Sequence, residues 1–281
     1  PAGPHHDLRK HHRHSPRLSP LKPVADSRLP SEPMADTLRI VTCNIRNGRA
    51  FDGMDSWPFR WRRLVDYLCS LDADVLALQE AYTFQIRTIS RGLDGHQVIG
   101  DGRNRRRKSE HVPVFIRRDR IEVLDSSTLW LSDTPNVPGS RQPGARFPRI
   151  ATTATLHDRS TGHTFTLANT HLDASDDGRR LRSAELLADW SSDWTTPILV
   201  GDLNASIEAP ELSPLLAVGF RDTCPSDAPG TNHDFTGRAD GPRIDHVLVG
   251  PPWSVSAATV AIRDGRLPTD HWAVVVDLRL R

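Results

Sequence analysis

The sequence predicts a mixed α/β sandwich, and three observations support this prediction. Short apolar runs typical of buried strands outnumber the stretches with helical spacing. The two kinds of segment follow one another without strict βαβ alternation. The chain has 281 residues, of which 37% are hydrophobic and 25% charged, which suits one large globular domain or two small ones.

Residues 1–36 are predicted to form a disordered Pro- and His-rich extension in front of one domain over residues 37–281. Residues 1–33 hold seven of the 22 prolines and five of the 13 histidines, with almost no apolar periodicity. Such a segment buries too little surface to offset its ordering entropy. The histidines could bind a metal adventitiously, but disorder is the stronger interpretation. The chain starts with Pro1, and Met34 is a candidate initiator.

The predicted elements follow in order from Leu38. A strand over 38–42 precedes a helix over 57–68, where Trp57, Trp61 and Leu64 recur at helical spacing and Pro58 suits the first turn. Alternation over 152–169 predicts a hairpin with its turn near 160–162, and a second helix covers 181–188. The Pro- and Gly-rich segment 132–148 is predicted to be an ordered surface loop. Apolar runs predict the remaining strands over 75–78, 112–116, 121–124, 197–200, 244–249 and 273–278.

Acid, amide and imidazole side chains lie at or beside the ends of these predicted strands. They are Asn44, Glu80, His171, Asp202, Asn204, Asp245, Asp270 and His271. One such residue means little by itself, because turns and loops favour polar side chains. Together, these residues can converge on one edge of the sheets, where folds of this class place their sites.

Six short motifs carry these residues in order along the chain. They read Val41-Thr42-Cys43-Asn44-Ile45-Arg46, Leu78-Gln79-Glu80, Asn169-Thr170-His171-Leu172, Gly201-Asp202-Leu203-Asn204, Ile244-Asp245-His246 and Thr269-Asp270-His271. The series resembles that of the endonuclease/exonuclease/phosphatase superfamily, and it spans about Leu38 to Leu280. The resemblance implies a four-layer sandwich, in which two packed mixed β-sheets are flanked by helices. The stretch from Trp130 to Pro135 further resembles a bacterial subgroup, in which an aromatic residue is expected where this chain has Asn232.

The resemblance also implies a divalent metal ion. Glu80 would be its principal ligand, with Asn44 and Asp270 nearby. Carboxylate and amide oxygens are hard ligands, so Mg²⁺ or Mn²⁺ is expected rather than zinc. The ion would stabilise the charge that develops as water attacks phosphorus.

The remaining site residues are implied to act on the water and the phosphate. They are His171, Asp202, Asn204, Asp245, His271 and Glu110. Asp202 would orient or deprotonate the water, assisted by Asn204. The two histidines would contact the phosphate, with Asp245 orienting an imidazole and Glu110 supporting His171.

A nuclease-type phosphodiester substrate is favoured by a basic run ahead of Glu110. The run holds five cations, Arg103, Arg105, Arg106, Arg107 and Lys108, that could attract a nucleic-acid backbone, whereas the formal net charge of +1 argues neither way. A sugar or inositol phosphatase and a phospholipid phosphodiesterase are alternative enzymes. A non-catalytic module that binds a phosphate ligand is the alternative of another class. Arg46 and Arg149 are further candidates for phosphate contacts.

Cysteine content and hydropathy bound the remaining expectations. The three cysteines include no C-x-x-C pair, which disfavours a disulfide framework and a cysteine zinc site. No stretch approaches the ~20 apolar residues of a membrane span. We therefore expect a cytoplasmic protein, with export left open if residues precede Pro1. A monomer is the default expectation, since the sequence does not encode the oligomeric state in a readable way.

Overall fold

The computed structural model describes residues 36–280, so the prediction made for residues 1–36 lies outside the described residues, apart from Asp36. The strands in this part of the chain are β1 (Leu38–Asn44), β2 (Val75–Gln79), β3 (Ala81–Tyr82), β4 (His96–Ile99), β5 (Glu110–His111), β6 (Val114–Arg117), β7 (Ile121–Trp130), β8 (Ile150–Asp158), β9 (His163–His171), β10 (Ile198–Asp202), β11 (Arg221–Asp222), β12 (Asp245–Val249), β13 (Trp253–Ala261) and β14 (Ala273–Leu280). The α-helices are α1 (Trp57–Ser70), α2 (Thr83–Gly92), α3 (Asp177–Ser191) and α4 (Ser213–Ala217), and 3-10 turns cover Gly53–Asp55 and Pro210–Leu212.

Two six-stranded sheets form the centre of the fold. The first has the strand order β13-β14-β1-β2-β6-β4, and the second has the order β11-β12-β10-β9-β8-β7. Each sheet contains a parallel pair, β1 with β2 and β9 with β10, between antiparallel neighbours. Both sheets are therefore mixed. Strands β3 and β5 form a separate small sheet beside them.

The molecule has four layers, and an apolar core lies between each layer and the next. Ile40 and Val200 belong to the core shared by the two sheets. Val41 faces the other way and packs in a second core with Leu64 of α1. A third core lies between the second sheet and α3. Because both faces of β1 are covered, all seven of its residues are buried. The predicted four-layer sandwich is confirmed.

Some elements depart from the sequence prediction. Strand β7 extends to Trp130, whereas the sequence predicted that it ends at residue 124. The prediction stopped too early because β7 is an edge strand, and its exposed side chains interrupt the apolar pattern. Helix α2 and strand β13 were not predicted. Between residues 36 and 280, no helix combines the length and apolar character needed to cross a bilayer.

Candidate active site

Strands of both sheets end at one edge of the sandwich, and the predicted site residues lie there. In the first sheet, Asn44 ends β1 and Glu80 directly follows the parallel strand β2. In the second sheet, Asp202 pairs with His171 across β9 and β10 and with Asp245 across β10 and β12. The strand register thus brings together residues that are far apart in sequence.

Asp202, Asp245 and His271 form a compact buried cluster. Each offers one potential ligand atom, and these three atoms all lie within 4.8 Å of one another. His271 Nδ1 is 2.7 Å from Asp245 Oδ2, a contact that fits the orienting role predicted for Asp245. His171 Nε2 approaches the same cluster and lies 3.7 Å from Asp202 Oδ2.

Asn44 links this cluster to Glu80. Its side-chain nitrogen is 2.9 Å from Asp202 Oδ2 and 3.3 Å from Glu80 Oε1. Its side-chain oxygen accepts a hydrogen bond of 3.0 Å from the backbone of Arg46. The second oxygen of Glu80 accepts one of 2.7 Å from the backbone of Asn47. The Asn44 amide therefore connects the Glu80 carboxylate, which follows β2 of the first sheet, with the Asp202 carboxylate of the second sheet.

Asp270 lies beside the cluster in the loop before β14. Its Oδ2 is 3.6 Å from Arg46 Nε, and its Oδ1 accepts a hydrogen bond of 3.2 Å from Thr269 Oγ1. Burial raises the pKa of Asp270; His271 and Arg46 lower it in part, and the Glu80 carboxylate raises it. The Glu80 carboxylate thus opposes ionisation of Asp270.

The buried ionisable groups of the site have shifted pKa values. Burial and the neighbouring Asp245 carboxylate raise the pKa of Asp202 to about 7. Burial disfavours the charged form of His271, but the carboxylates of Asp245, Asp202 and Asp270 outweigh it and raise its pKa to about 10. Burial and the cations Arg149 and Arg103 lower the pKa of His171 well below its usual range. At neutral pH, one histidine is therefore cationic and the other neutral.

The donor set fits a divalent cation. Several carboxylates are buried together, and Asp245 Oδ1 has no hydrogen-bond partner among residues 36–280. The three atoms with suitable mutual distances belong to Asp202, Asp245 and His271, whereas the predicted ligands were Asn44, Glu80 and Asp270. Asn44 turns its nitrogen toward the carboxylates, so only its oxygen, now bonded to Arg46, could bind an ion. The carboxylate oxygens of Glu80 and Asp270 can still serve as metal ligands.

Glu110 binds a partner other than the predicted one. It shares a pocket with His171, but its two oxygens bind the Arg103 guanidinium at 2.8 and 2.9 Å. Among the described residues, it makes no hydrogen bond to His171. Direct support of that histidine by Glu110 is therefore not found, because the bidentate ion pair with Arg103 occupies the carboxylate.

Two of the five cations in the basic run form ion pairs with nearby carboxylates. Arg103 is buried against Glu110, and Arg107 pairs with Asp101 at 2.6 Å. Arg105, Arg106 and Lys108 are exposed and have no ion pair within the part of the chain that the structure describes.

Gln79 and Asn169 support the site from behind, and sequence reasoning did not single them out. Both are fully buried, and Gln79 Nε2 donates to Asn169 Oδ1 at 2.7 Å. Asn169 Nδ2 in turn donates to the carbonyls of Leu78 and Pro113, at 2.9 and 3.0 Å. Amide residues inside otherwise apolar strands were the available signal. This bridge joins the two sheets just behind Glu80.

Three site residues adopt left-handed backbone conformations. The φ angles are 53° at Arg46, 60° at Glu80 and 52° at Asn204. At Asn204 this turn lets the backbone donate to Asp202 Oδ1 at 2.9 Å, while the side chain donates to the carbonyl of Leu172 at 3.1 Å. Such conformations are unfavourable for most residues other than glycine and asparagine, and they cluster at functional sites.

Comparisons with known proteins agree with this geometry. A sequence model of the Endonuclease/Exonuclease/phosphatase family matches residues 41–271. A family protein from Bacteroides thetaiotaomicron is similar in structure, with 27% identity, a TM-score of 0.81, and coverage of 88% of this chain and 98% of that one. A mannosyl-6-phosphatase from the same organism has 28% identity, a TM-score of 0.80, and coverage of 86% and 99%. TDP2 from D. rerio, complexed with a single-strand DNA product, has 16% identity, a TM-score of 0.69, and coverage of 86% and 99%. No curated protein is significantly similar to the chain.

Proposed function

Since the chain belongs to the endonuclease/exonuclease/phosphatase family, and is thus a metal-dependent phosphoesterase, we propose that it hydrolyses the phosphomonoester of a small polar molecule such as a sugar phosphate. The observation that carries the proposal is the cluster of Asp202, Asp245 and His271, joined by Asn44 to Glu80. In this site Asp202 can act as the base, His271 supplies a cation, and Glu80 supplies oxygen ligands for a metal ion.

The proposed reaction begins with a water molecule held by Asp202. A carboxylate whose pKa lies at about 7 can accept the proton of this water near neutral pH. Water adds to phosphorus, the P–O ester bond breaks, and the proton passes through solvent to the leaving alkoxide. The His271 imidazolium, oriented by Asp245, stabilises the negative charge on the phosphoryl oxygens. A divalent ion bound by Glu80 and Asp270 would polarise a non-bridging oxygen.

Two observations favour a small monoester over nucleic acid, the substrate ranked first by sequence. Ion pairs with Glu110 and Asp101 offset the charge of Arg103 and Arg107, which leaves three cations of the basic run to attract a polyanion. The mannosyl-6-phosphatase is 28% identical to this chain, whereas TDP2 is 16% identical and supports the fold alone.

A phosphodiesterase acting on nucleic acid is the second candidate. Arg105, Arg106 and Lys108 are exposed on a loop whose neighbour, Arg103, lines the pocket of His171. A substrate bound along this loop would show strong salt dependence, because each phosphate contact releases counterions.

The test is hydrolysis of mannose 6-phosphate, p-nitrophenyl phosphate, bis-p-nitrophenyl phosphate, single-stranded RNA and double-stranded DNA, with Mg²⁺, Mn²⁺ or EDTA. The wild type should release phosphate from the monoesters only with metal. Asp202→Asn should abolish this release, and Asp189→Asn, the same change on the exposed face of α3, should leave it intact. Full activity of Asp202→Asn, or turnover in EDTA, would contradict the mechanism. A preference for RNA or DNA would favour the second candidate.

A further inference from the structure

Arg149 is a partly buried arginine whose guanidinium has no partner among the described residues. It lies between the loop over 132–148 and β8, and its carbonyl accepts a hydrogen bond of 2.8 Å from Leu131. Among residues 36–280, its guanidinium makes no hydrogen bond or ion pair, and its Nε is shielded from solvent. The more deeply buried arginines all bind a carboxylate or a backbone carbonyl; they are Arg39, Arg60, Arg103 and Arg180.

An unpaired guanidinium in this position does not help the fold. Removing a charge from water without a partner is unfavourable, and the protein normally supplies a partner to offset this. Burial and the neighbouring Arg103 cation accordingly lower the pKa of Arg149, and the carboxylates of Asp173, Glu110 and Asp202 offset this only in part. A ligand anion would complete the pairing.

The surroundings of Arg149 show where that anion would lie. Arg149 lines one pocket together with Glu80, Glu110 and His171. Val112, Pro148 and Ile150 form an apolar wall of the same pocket, which strengthens electrostatic contacts inside it. The pocket therefore adjoins the residues proposed to hold the metal ion and the phosphoryl group.

The pocket holds one guanidinium that can bind an anion. Arg103 forms an ion pair with Glu110, whereas Arg149 forms none among the described residues. A phosphomonoester carries about two negative charges at neutral pH, whereas a diester carries one. The planar guanidinium can bind two phosphate oxygens at once.

We propose that the Arg149 guanidinium binds two oxygens of the terminal phosphoryl group and thereby selects phosphomonoesters over phosphodiesters. This inference rests on the proposed phosphatase function and identifies the residue that confers the selectivity. Arg103, fixed by Glu110, lines the pocket beside it.

The first experiment compares kcat/KM for p-nitrophenyl phosphate and bis-p-nitrophenyl phosphate. Arg149→Gln should lower the monoester value about 100-fold, the size expected for loss of one preorganised donor, and the diester value by less than about 5-fold. Arg149→Lys should restore little, because an ammonium group lacks the planar fork. The control is Arg146→Gln, an exposed arginine in the same loop, which should change neither value. Equal losses on the two esters, or no loss, would overturn the proposal.

The second experiment does not depend on turnover. Sodium phosphate, against sodium chloride at the same ionic strength, should raise the Tm of the wild type and of Arg146→Gln but not that of Arg149→Gln. Without phosphate, Arg149→Gln should melt at or above the wild-type Tm, whereas loss of a structural residue would lower it. An unchanged phosphate effect in Arg149→Gln, or none in the wild type, overturns the inference. If the wild type hydrolyses neither ester, the proposed function fails, while this measurement still tests Arg149.

Discussion

The amide bridge between the two sheets allows a quantitative stability prediction. Asn169→Ala removes three buried hydrogen bonds, to Gln79 Nε2 and to the carbonyls of Leu78 and Pro113. A buried hydrogen bond contributes about 1–1.5 kcal/mol. Gln79 Nε2 keeps its hydrogen bond to Thr42 Oγ1 and the Pro113 carbonyl keeps the one from the Leu78 backbone, so the free energy of unfolding should fall by about 2–4 kcal/mol. Asn136→Ala, at an exposed position, should lower it by less than about 0.5 kcal/mol.

Urea denaturation followed by tryptophan fluorescence measures this difference. The chain has seven tryptophans, and Trp130 and Trp272 are fully buried, so their emission reports loss of the core. Coincident transitions by fluorescence and circular dichroism would establish two-state unfolding. A loss below about 1 kcal/mol for Asn169→Ala, with an unchanged m-value, would refute the reasoning, because it would mean that the bridge is not needed to join the sheets.

Two further changes test the metal site and the basic run. Mg²⁺ should raise the Tm of the wild type, and EDTA should reverse this shift. The variant Glu80→Gln, which keeps the size of the side chain but not its charge, should show no shift with Mg²⁺. A shift that survives in Glu80→Gln would place the ion elsewhere. Replacing Arg105, Arg106 and Lys108 together by Gln should change kcat/KM for a sugar phosphate by less than about twofold at 150 mM salt, because screened surface charges add little for a small substrate. A large decrease that disappears at high salt would contradict this expectation, because it would show that these cations attract even a small substrate.

The sequence predicted the buried strands better than the exposed ones. Strands β1 and β2 are covered on both faces, so their apolar runs are continuous and easily recognised. The middle of β7 contains Asp125, Ser126 and Ser127 at a sheet edge, where neither face demands an apolar pattern. Helix α2 presents only Gln85 and Ile89 as buried residues, which is too short a stripe to detect.

The site was predictable as a set of residues, but not in its contacts. Residues at the ends of parallel strands converge through strand register, which an apolar pattern can indicate. The partner of Glu110 depends instead on how the loop containing Arg103 folds back, and no periodicity encodes that. The inward amide of Asn44 likewise depends on the left-handed turn at Arg46.

The left-handed turns at Arg46, Glu80 and Asn204 have an evolutionary consequence. Asparagine tolerates this conformation, but Arg46 and Glu80 each cost about 1 kcal/mol relative to glycine, so these two together forgo about 2 kcal/mol of stability. Glycine at position 80 would relax the backbone and remove the carboxylate at the same time. A population of variants selected only for heat resistance should therefore accumulate glycine or asparagine at positions 46 and 80 and drift toward inactivity. Selection for turnover alone would hold both residues in place.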